Sequence, residues 1–552
     1  MLSVGKLGAG AEDYYLNTVA NGREDYYTGA GEAPGVWLGQ GACELGLDGA
    51  VDADQLHAVL EGRDPWTAAD LTAGRVDPKS RVAGFDCTFS APKSVSLLWA
   101  LSDPETTSVA VRDAHDRAVV EALGYLEAHA FRARRGSGGE QRIDTTGMVG
   151  AAFRHRTSRA TDPQLHTHVL VANVCHGQDG RWSAPDARLL YFHARAAGFL
   201  YQAALRAQLS DLLGISFGPV HRGVAEVDGV PEALLRAFST RRQEIEAALE
   251  RHGAHSARAA EIAALDTRRP KEGSPVDDRS LRERWTLRAL ELGFGQRAFQ
   301  QLRSGPSNRR LPAARALSAA LLAPTGLTAH ESSFERRDVV RAVAERCPAG
   351  AHVAEIEFLV DEVLRVPGVV SLAGEGHGGE GRHSTDELLA LERRLLESAM
   401  ARRTDGVAVV PEDRIDEVLG NHGHLSDEQR RTVEHLATSG QGVEVVVGKA
   451  GAGKTTALAT ARALFEADGY RVIGTALSAR AAAGLQESTG IPSTTLARLL
   501  QGDPSSLRFG TRQVLVVDEA AMVGTRDLAR LLEQAGEANA KVVLAGDHRQ
   551  LP

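Results

Sequence analysis

The chain of 552 residues is short of cysteine and has no long apolar run. Its four cysteines are Cys43, Cys87, Cys175 and Cys347, and no two of them form a CxxC pair. This spacing argues against a disulfide framework and against a cysteine zinc site. No apolar stretch reaches the roughly 20 residues that a membrane-spanning helix needs. We therefore expect no membrane insertion.

A secretory signal and a generally basic surface are also missing. The first residues, MLSVGKLGAGAEDYY, hold one lysine and no apolar core, so they do not read as a signal peptide. We expect a cytoplasmic protein. The formal net charge is -9, which argues against a basic nucleic-acid-binding coat but leaves room for a local basic groove. The 43% hydrophobic and 24% charged residues are ordinary for a globular protein.

The pattern of the chain predicts an α/β protein of several domains. Residues 1–295 mix short strand-like runs with longer helical stretches. Residues 296–325 are rich in Ser, Arg and Pro and indicate a linker. Residues 326–424 are mostly helical around a glycine-rich loop, which would suit a small winged-helix-like module. Residues 425–552 alternate strand, glycine loop, helix and strand, which is typical of a parallel α/β sheet.

The strongest single motif is a phosphate-binding loop, GKAGAGKT, at residues 448–455. It follows a β-branched run at 443–447 and precedes a helical stretch, as a Walker A loop requires. Backbone N–H groups of such a loop wrap phosphates at a helix N-terminus. The lysine reaches the β- and γ-phosphates, and the threonine hydroxyl binds Mg²⁺. The predicted nucleotide-binding residues here are Gly448, Gly451, Gly453, Lys454, Thr455 and Thr456.

Four other polar positions suit the same nucleotide site. Asp518 and Glu519 follow a buried-strand run, where Asp518 would hold the Mg²⁺ shell and Glu519 would polarise the attacking water. Gln550, after another such run, could sense the γ-phosphate. Gln429 could read the adenine base; alternatively it is a surface residue at a helix start.

Residues 425–552 resemble the first motor domain of RecD-like superfamily 1 helicases. The resemblance rests on LSDEQ, GKAGAGKT, GTALSARAAAGL, VVDEA and GDHRQL. It implies a RecA-like fold that binds ATP with Mg²⁺. Such motors use a second RecA-like domain, and this chain stops at Pro552. We therefore expect an incomplete motor that binds ATP, hydrolyses it feebly and does not unwind DNA.

Three histidines form a second group of candidate site residues. The apolar flanks of LHTHV, residues 165–169, mark a strand, and a period of two puts both imidazoles on one face. Residues 153–155 close another strand-like run, and the loop at 161–163 could return the chain beside it. A lone histidine is usually structural, but three neutral imidazoles suit Zn²⁺, Mn²⁺, Ni²⁺ and similar ions. The candidate metal ligands are His155, His166 and His168.

Tyrosines near the N-terminus are the candidate nucleophiles. The pairs Tyr14-Tyr15 and Tyr26-Tyr27 hold four of the eight tyrosines of the chain. Tyrosine is a poor nucleophile at neutral pH because its pKa is about 10, and a metal or a nearby base is the usual remedy. An aromatic cluster that packs a first helix is the alternative interpretation.

A conspicuous stretch, GFDCTFSAPKSVS, lies between the tyrosines and the histidines. Asp86 sits among apolar neighbours of a strand, so its carboxylate needs a partner such as a metal-bound histidine or an attacking tyrosine. Ser90, Lys93 and Ser94 could hold DNA phosphates at the turn into the next helix.

Residues 1–295 resemble the MobF class of conjugative relaxases, the TrwC/TraI type. The resemblance rests on YY…EDYY, GFDCTFSAPKSVS and FRHRTSRATDPQLHTHVLVANV, followed in the expected order by the helicase motifs. It implies an HUH-endonuclease fold, an antiparallel sheet with helices. It also implies nicking of single-stranded DNA at an origin of transfer through a 5′-phosphotyrosyl intermediate. The implied partners are relaxosome accessory proteins and a type IV secretion coupling protein.

The resemblance also assigns roles to individual residues. His155, His166 and His168 would bind a divalent metal (Mg, Mn, Zn or Ni), and Asp86 would act as base or histidine orienter. Tyr14 would be the first nucleophile and Tyr26 the second. Two alternatives stay open. One is a rolling-circle replication initiator, whose tyrosines would normally follow the histidines; the other is a catalytically inert accessory protein that binds DNA and ATP.

Overall fold

The computed structural model describes most of the chain and divides it into two compact units. Unit 1 comprises Met1–Leu321, Glu335–Val366 and Ala373–Arg382, and unit 2 comprises Leu322–Phe334, Pro367–Leu372 and His383–Pro552. The described residues are 1–8, 34–72, 81–136, 139–158, 160–252, 278–303, 309–376, 380–448, 453–501, 510 and 512–547. Within these ranges, none of the helices combines the length and the hydropathy that a membrane span requires.

Unit 1 is built on an antiparallel sheet of seven strands. They are β1 (Leu2–Leu7), β2 (Val36–Leu38), β3 (Gly84–Ser90), β4 (Arg132–Arg135), β5 (Gln141–Thr157), β6 (Pro163–Gly177) and β7 (Trp182–Ser183). The main order is β1-β3-β6-β5-β2, with β4 beside β5 and β7 beside β6. The long hairpin of β5 and β6 forms the middle of the sheet. A site formed by its side chains therefore lies at the centre of the unit.

Twelve helices accompany this sheet in the described part of the chain before residue 365. They are α1 (Gln40–Glu44), α2 (Ala53–Leu60), α3 (Lys93–Leu101), α4 (Thr107–Ala130), α5 (Ala187–Leu213), α6 (Glu232–Ala237), α7 (Thr240–His252), α8 (Asp278–Glu291), α9 (Gln296–Gln301), α10 (Ala314–Leu322), α11 (Arg336–Glu345) and α12 (Val353–Leu364). The two longest, α4 and α5, pack against each other. Asp186 caps the start of α5, and Gly214 ends it in the left-handed conformation that favours glycine.

The two faces of the sheet are both covered, because both sets of alternating strand residues contribute to cores. Even-numbered residues of β6 such as Leu170 and Ala172 pack with Phe153 and with the buried leucines of α2. Odd-numbered residues such as Val169 and Val171 are equally buried on the other face. Alternation in a strand sends successive side chains to opposite faces. The histidines therefore extend a core-lining row rather than a solvent-facing one.

The helical segment toward the middle of the chain contains a small antiparallel sheet. Strands β8 (Val369–Glu375) and β9 (Gly381–Thr385) pair with each other on either side of the glycine-rich loop. Helices α11 and α12 belong to unit 1, where Arg206 of α5 donates to the carbonyls of Ala344 and Cys347, each at 3.3 Å. The predicted boundaries at residues 295, 325 and 424 remain a prediction.

Unit 2 contains a parallel sheet of five strands in the order β10-β14-β13-β11-β12. The strands are β10 (Val443–Val447), β11 (Arg471–Ala476), β12 (Ser493–Thr495), β13 (Gln513–Val517) and β14 (Lys541–Gly546). Helices from residue 386 onward are α13 (Asp386–Ala401), α14 (Glu412–Gly420), α15 (Asp427–Thr438), α16 (Lys454–Ala467), α17 (Ala479–Thr489), α18 (Leu496–Gln501) and α19 (Thr525–Glu537). Parallel strands with intervening helices were predicted from the strand–loop–helix pattern.

Candidate functional sites

The three candidate histidines converge on one face of the β5–β6 hairpin. His155 lies directly opposite His166 in the strand register, and Phe153 lies opposite His168. The ring centroids are 5.0–5.3 Å apart in all three pairs. One potential ligand atom from each ring lies within 4.8 Å of the other two. The two-residue period of β6 and the tight return of the chain produce this arrangement, as the sequence predicted.

Two of the imidazoles have their Nδ1 atoms held by groups behind them. Nδ1 of His168 lies 2.9 Å from each carboxylate oxygen of Asp86, and Nδ1 of His166 lies 2.8 Å from the carbonyl oxygen of Gln164. An acceptor at Nδ1 keeps the proton on that nitrogen, so the lone pair sits on Nε2. This outer arrangement is the one that orients histidine ligands of metals. The donor set and its spacing thus fit a divalent cation.

Asp86 has the partner that its position in a strand requires. Its carboxylate is half-buried on β3 and contacts both His168 and the Thr88 hydroxyl, the latter at 3.0 Å. The Thr88 hydroxyl also lies 3.0 Å from Nδ1 of His168. Asp86 and Thr88 of β3 therefore converge on one imidazole. No sequence signal singled out Thr88.

A buried polar chain lies behind the histidine strand, on the opposite face. The Thr167 hydroxyl, between the two histidines of β6, contacts Nε2 of His115 at 2.8 Å, and Nδ1 of His115 contacts the Tyr201 hydroxyl at 2.8 Å. Burial holds the pKa of His115 well below its ordinary value, so this imidazole is neutral at pH 7. It ties β6 to α4 and α5. Sequence reasoning missed this chain because its members are 52 and 86 residues apart.

The candidate tyrosines Tyr14 and Tyr26 lie outside the described residues, as do Tyr15 and Tyr27. The chain on their C-terminal side is described. Val36 pairs with Ala152 in antiparallel register, so the residues just before β2 lie beside the histidine end of β5. A Cβ on Gly35 would lie 2.5 Å from the ring of Phe153, which shows how closely the backbone passes there. The described chain thus resumes close to the histidine face, eight residues after Tyr26.

The predicted phosphate contact of Ser94 is wrong. Ser94 is fully buried, its hydroxyl accepts from the backbone N–H of Val227 at 2.7 Å, and its own N–H donates to Glu226 at 2.8 Å. Lys93 donates to the carbonyl of Pro163 at 2.7 Å, and burial lowers its pKa to about 8. Both side chains hold protein groups together. The sequence could not show this, because Glu226 and Val227 lie more than 130 residues away.

The nucleotide motif of unit 2 has the predicted strand–loop–helix context. Gly448 follows β10 directly, and Gly453 adopts a positive φ of 75° immediately before α16 begins at Lys454. The ammonium of Lys454 donates to the carbonyl of Gly448. Thr455 is exposed and Thr456 half-buried in the first turn of α16. Gly451 lies outside the described residues.

The other predicted nucleotide residues fall at the same carboxyl edge of the parallel sheet, with one exception. Asp518 and Glu519 directly follow β13, and Glu519 has a positive φ of 51°. The Gln429 side chain donates to the carbonyl of Gly453 at 3.3 Å and accepts from the N–H of Ser426 at 3.0 Å. It therefore caps α15 and touches the phosphate loop. Gln550 lies outside the described residues.

The structure thus combines two kinds of centre: a three-histidine site on an antiparallel sheet and a phosphate loop on a parallel one. Residues 8–292 match the family model described as TrwC relaxase, and residues 424–552 match the one described as AAA domain. The relaxase model covers more than half of the 552 residues, so the chain belongs to the TrwC relaxase family. The predicted relationship to MobF relaxase-helicases and the predicted α/β multi-domain fold class are confirmed.

Three similar proteins illustrate the relationship. The multifunctional conjugation protein TraI of Escherichia coli is 30% identical over 569 residues, which cover 98% of this chain and 30% of TraI. The ATP-dependent RecD2 DNA helicase of Deinococcus radiodurans is 35% identical over 133 residues, 23% of this chain and 18% of RecD2. A metal-bound structure of the conjugative relaxase TrwC with oriT DNA is 32% identical and covers 54% of this chain and 100% of that one, with a TM-score of 0.47. This chain spans about 30% of the length of TraI.

Proposed function

We propose that this protein is a conjugative relaxase that nicks single-stranded DNA at an origin of transfer. The observation that carries the proposal is the convergence of His155, His166 and His168 beside Asp86 in a chain of the TrwC relaxase family. The likeness to a multifunctional conjugation protein over nearly the whole chain supports transfer of a plasmid or integrative element. Plasmid DNA and ATP are cytoplasmic substrates, so the activity would take place in the cytoplasm.

The metal site of this relaxase would consist of the three imidazoles. His166 and His168 would bind through Nε2, because Gln164 and Asp86 engage their Nδ1 atoms. Three protein ligands leave positions for substrate oxygens. A bound divalent cation, with Mg, Mn, Zn or Ni as candidates, supplies positive charge that polarises the non-bridging oxygens of a phosphodiester. Asp86 would keep His168 in the required tautomer.

The nucleophile would be Tyr14. Its phenolic oxygen attacks the phosphorus, the bond from phosphorus to the 3′ oxygen breaks, and the 5′ end remains as a phosphotyrosyl ester. The phenol gives up its proton, for which Asp86 is the candidate acceptor, and the 3′ oxygen leaves as a hydroxyl after gaining one. The ester conserves the bond, so a 3′-hydroxyl can later reseal the strand. Tyr26 would make the second cut that ends transfer.

Unit 2 would bind ATP with Mg²⁺ at the carboxyl edge of its parallel sheet. Lys454 and Thr455 begin α16, and a helix N-terminus favours phosphate there. Asp518 would hold the Mg²⁺ shell and Glu519 the attacking water. The loop glycines Gly448, Gly451 and Gly453, with Thr456, Gln429 and Gln550, complete the proposed site.

The partners and the domain scheme belong to the same proposal. The DNA substrate would be a single strand carrying an origin of transfer, with relaxosome accessory proteins and a type IV secretion coupling protein as further partners. The chain would divide into a relaxase domain at 1–295, a linker at 296–325, a winged-helix-like module at 326–424 and a RecA-like domain at 425–552. The bounds of the two matched family models support the first and last of these.

Adduct formation tests the proposal. The protein is incubated with a labelled single-stranded origin oligonucleotide, with and without EDTA, and denaturing gels are scored for a protein–DNA adduct. We expect a metal-dependent adduct that Tyr14→Phe abolishes and the matched control Tyr15→Phe retains. An EDTA-insensitive, cleavage-free complex would point to an inert DNA-binding protein instead. An adduct of full yield in Tyr14→Phe would remove Tyr14 from the role of first nucleophile.

A further inference from the structure

The turn that joins the two histidine strands is held at three consecutive residues by distant parts of unit 1. The indole N–H of Trp285, on α8, donates to the carbonyl of Thr161 at 3.0 Å. Lys93, at the start of α3, donates to the carbonyl of Pro163 at 2.7 Å. The side chain of Asp162, between these two, is bound as well. Surface hairpin turns do not need such support, which suggests that the position of this turn matters.

We call these contacts to Thr161, Asp162 and Pro163 the clamp, and Asp162 lies at its centre. Its side chain is only 4% exposed. It accepts from the N–H of Thr240 at 2.8 Å and from the Thr240 hydroxyl at 3.3 Å, at the start of α7. The guanidinium of Arg288, on α8, lies 3.5 Å away. A buried carboxylate is costly without such partners, so Asp162 binds α7 and α8 to the turn.

The turn itself has a conformation that its surroundings must maintain. Thr161 has a φ of 58°, in the left-handed region that β-branched residues rarely adopt. Backbone strain of this kind persists only where neighbouring contacts hold it. The indole of Trp285 and the carboxylate of Asp162 supply those contacts on both sides of the strained peptide.

Asp162 lies four residues before His166, and the backbone between them connects the clamp to the histidine site. From Asp162 the chain runs through Pro163 to Gln164, whose carbonyl accepts from Nδ1 of His166 at 2.8 Å. The N–H of Leu165 donates to the buried hydroxyl of Ser96 at 3.0 Å. The placement of the Gln164 carbonyl therefore follows from the placement of the turn. That carbonyl selects the tautomer of His166 and aims its Nε2.

We propose that Asp162 is a positioning residue for the metal site, through which α7 and α8 hold His166 ready to bind a cation. The inference rests on the proposed metal site. Asp162 acts through the Gln164 carbonyl rather than as a ligand of the cation. Loss of groups that orient metal ligands typically weakens metal binding by about 10- to 100-fold. Asp162 acts one step further from the ligand, so removing its charge weakens cation binding by about tenfold, the lower end of that range.

Titration of the full chain with Mn²⁺, without DNA or nucleotide, tests this inference. We expect Asp162→Asn to raise the Kd of the histidine site about tenfold. The matched control is Asp186→Asn, because Asp186 is another buried carboxylate, paired with Arg142 and Arg188, at the start of α5. The control retains the wild-type Kd. Equal losses in both variants would contradict a positioning role.

A milder pair of variants decides the matter if Asp162→Asn does not fold. Trp285→Phe removes only the N–H that holds Thr161, and we expect a Kd about threefold higher, as for the loss of one neutral hydrogen bond. Its control is Trp66→Phe, which removes an equivalent N–H donated to the carbonyl of Leu45 at 2.6 Å. Wild-type Kd values in Trp285→Phe would overturn the inference.

Hydrogen–deuterium exchange of the metal-free protein separates this inference from the proposed function. Loosening of the clamp in Asp162→Asn speeds amide exchange over residues 160–166, and Asp186→Asn does not. If wild-type protein forms no metal-dependent adduct, the proposed function fails while the exchange result still reports on the clamp. If the adduct forms and exchange over 160–166 is unchanged in Asp162→Asn, the clamp inference fails alone.

Discussion

At the scale of single residues, we expect Asp86 to set how tightly the proposed histidine site binds a cation. Both carboxylate oxygens of Asp86 lie 2.9 Å from Nδ1 of His168, so the negative charge interacts with this one imidazole. A carboxylate at that position makes the imidazole a stronger ligand and fixes its orientation. The hydroxyl of Thr88, two residues further along β3, lies 3.0 Å from the same nitrogen.

Asp86→Asn therefore weakens metal binding. The amide keeps the shape of the side chain but loses its charge, and we expect about 10- to 100-fold weaker Mn²⁺ binding, measured by calorimetric titration. The control Asp113→Asn alters a partly exposed carboxylate on α4 that pairs with Arg112. Unchanged Mn²⁺ affinity in Asp86→Asn would show that the contact with His168 has no such role.

The burial of His193 leads us to predict how the stability of unit 1 depends on pH. Burial, with a smaller contribution from His129, lowers the pKa of His193 to about 3, whereas an unfolded histidine titrates near 6.5. The unfolded chain therefore takes up a proton that the folded chain excludes. His193 costs no stability above pH 6.5, and below it the stability of unit 1 falls by about 1.4 kcal/mol per pH unit until about pH 3.

Melting curves between pH 7 and pH 4 check this dependence. We expect the loss of stability on acidification to be shallower in His193→Gln than in the wild type. His57→Gln serves as control, because His57 is half exposed on α2. Parallel melting curves for His193→Gln and wild type at every pH would contradict the assignment.

At the scale of elements, the β5–β6 hairpin was predictable in part. The alternation in β6 placed two imidazoles on one face, and the short loop after His155 indicated the return of the chain. The sequence also showed that Asp86 needs a partner. It could not show the Gln164 carbonyl or the His115 chain behind the strand, because these contacts depend on backbone placement and on helices far along the chain.

Thr167→Val tests the importance of the chain behind the strand. The substitution preserves side-chain volume but leaves Nε2 of buried His115 without the Thr167 hydroxyl. An unsatisfied buried polar group costs about 1–3 kcal/mol, and we expect the free energy of unfolding of unit 1 to fall by that amount in urea denaturation. The control is Thr157→Val, near the end of β5. A loss no larger than that of the control would contradict the role of Thr167.

At the scale of the whole molecule, the proposed domain scheme and the two compact units divide the chain differently. The segment 335–366 reads as part of a separate module by sequence, yet it belongs to unit 1. The fully buried guanidinium of Arg206 donates to the carbonyls of Gly223, Ala344 and Cys347. The sequence places Arg206 within α5 but shows neither its burial nor the carbonyls that it binds.

Truncation tests this division. A fragment ending at Arg303 removes two of the three carbonyls that Arg206 binds, whereas a fragment ending at Val366 retains them. We expect the shorter fragment to melt at a lower temperature, since a buried guanidinium then loses its acceptors. Circular dichroism melts of the two fragments provide the comparison. Equal melting temperatures would show that 335–366 adds nothing to unit 1.

The most direct test of the account is a Mn²⁺ titration of the full chain and of three single variants, His155→Gln, His166→Gln and His168→Gln. His176→Gln is the matched control, since His176 also lies on β6 but contacts Glu44 instead. We predict one strong Mn²⁺ site in the wild type and in the control, and its loss in each of the three variants. Retention of that site in all three would contradict a cation held by these imidazoles.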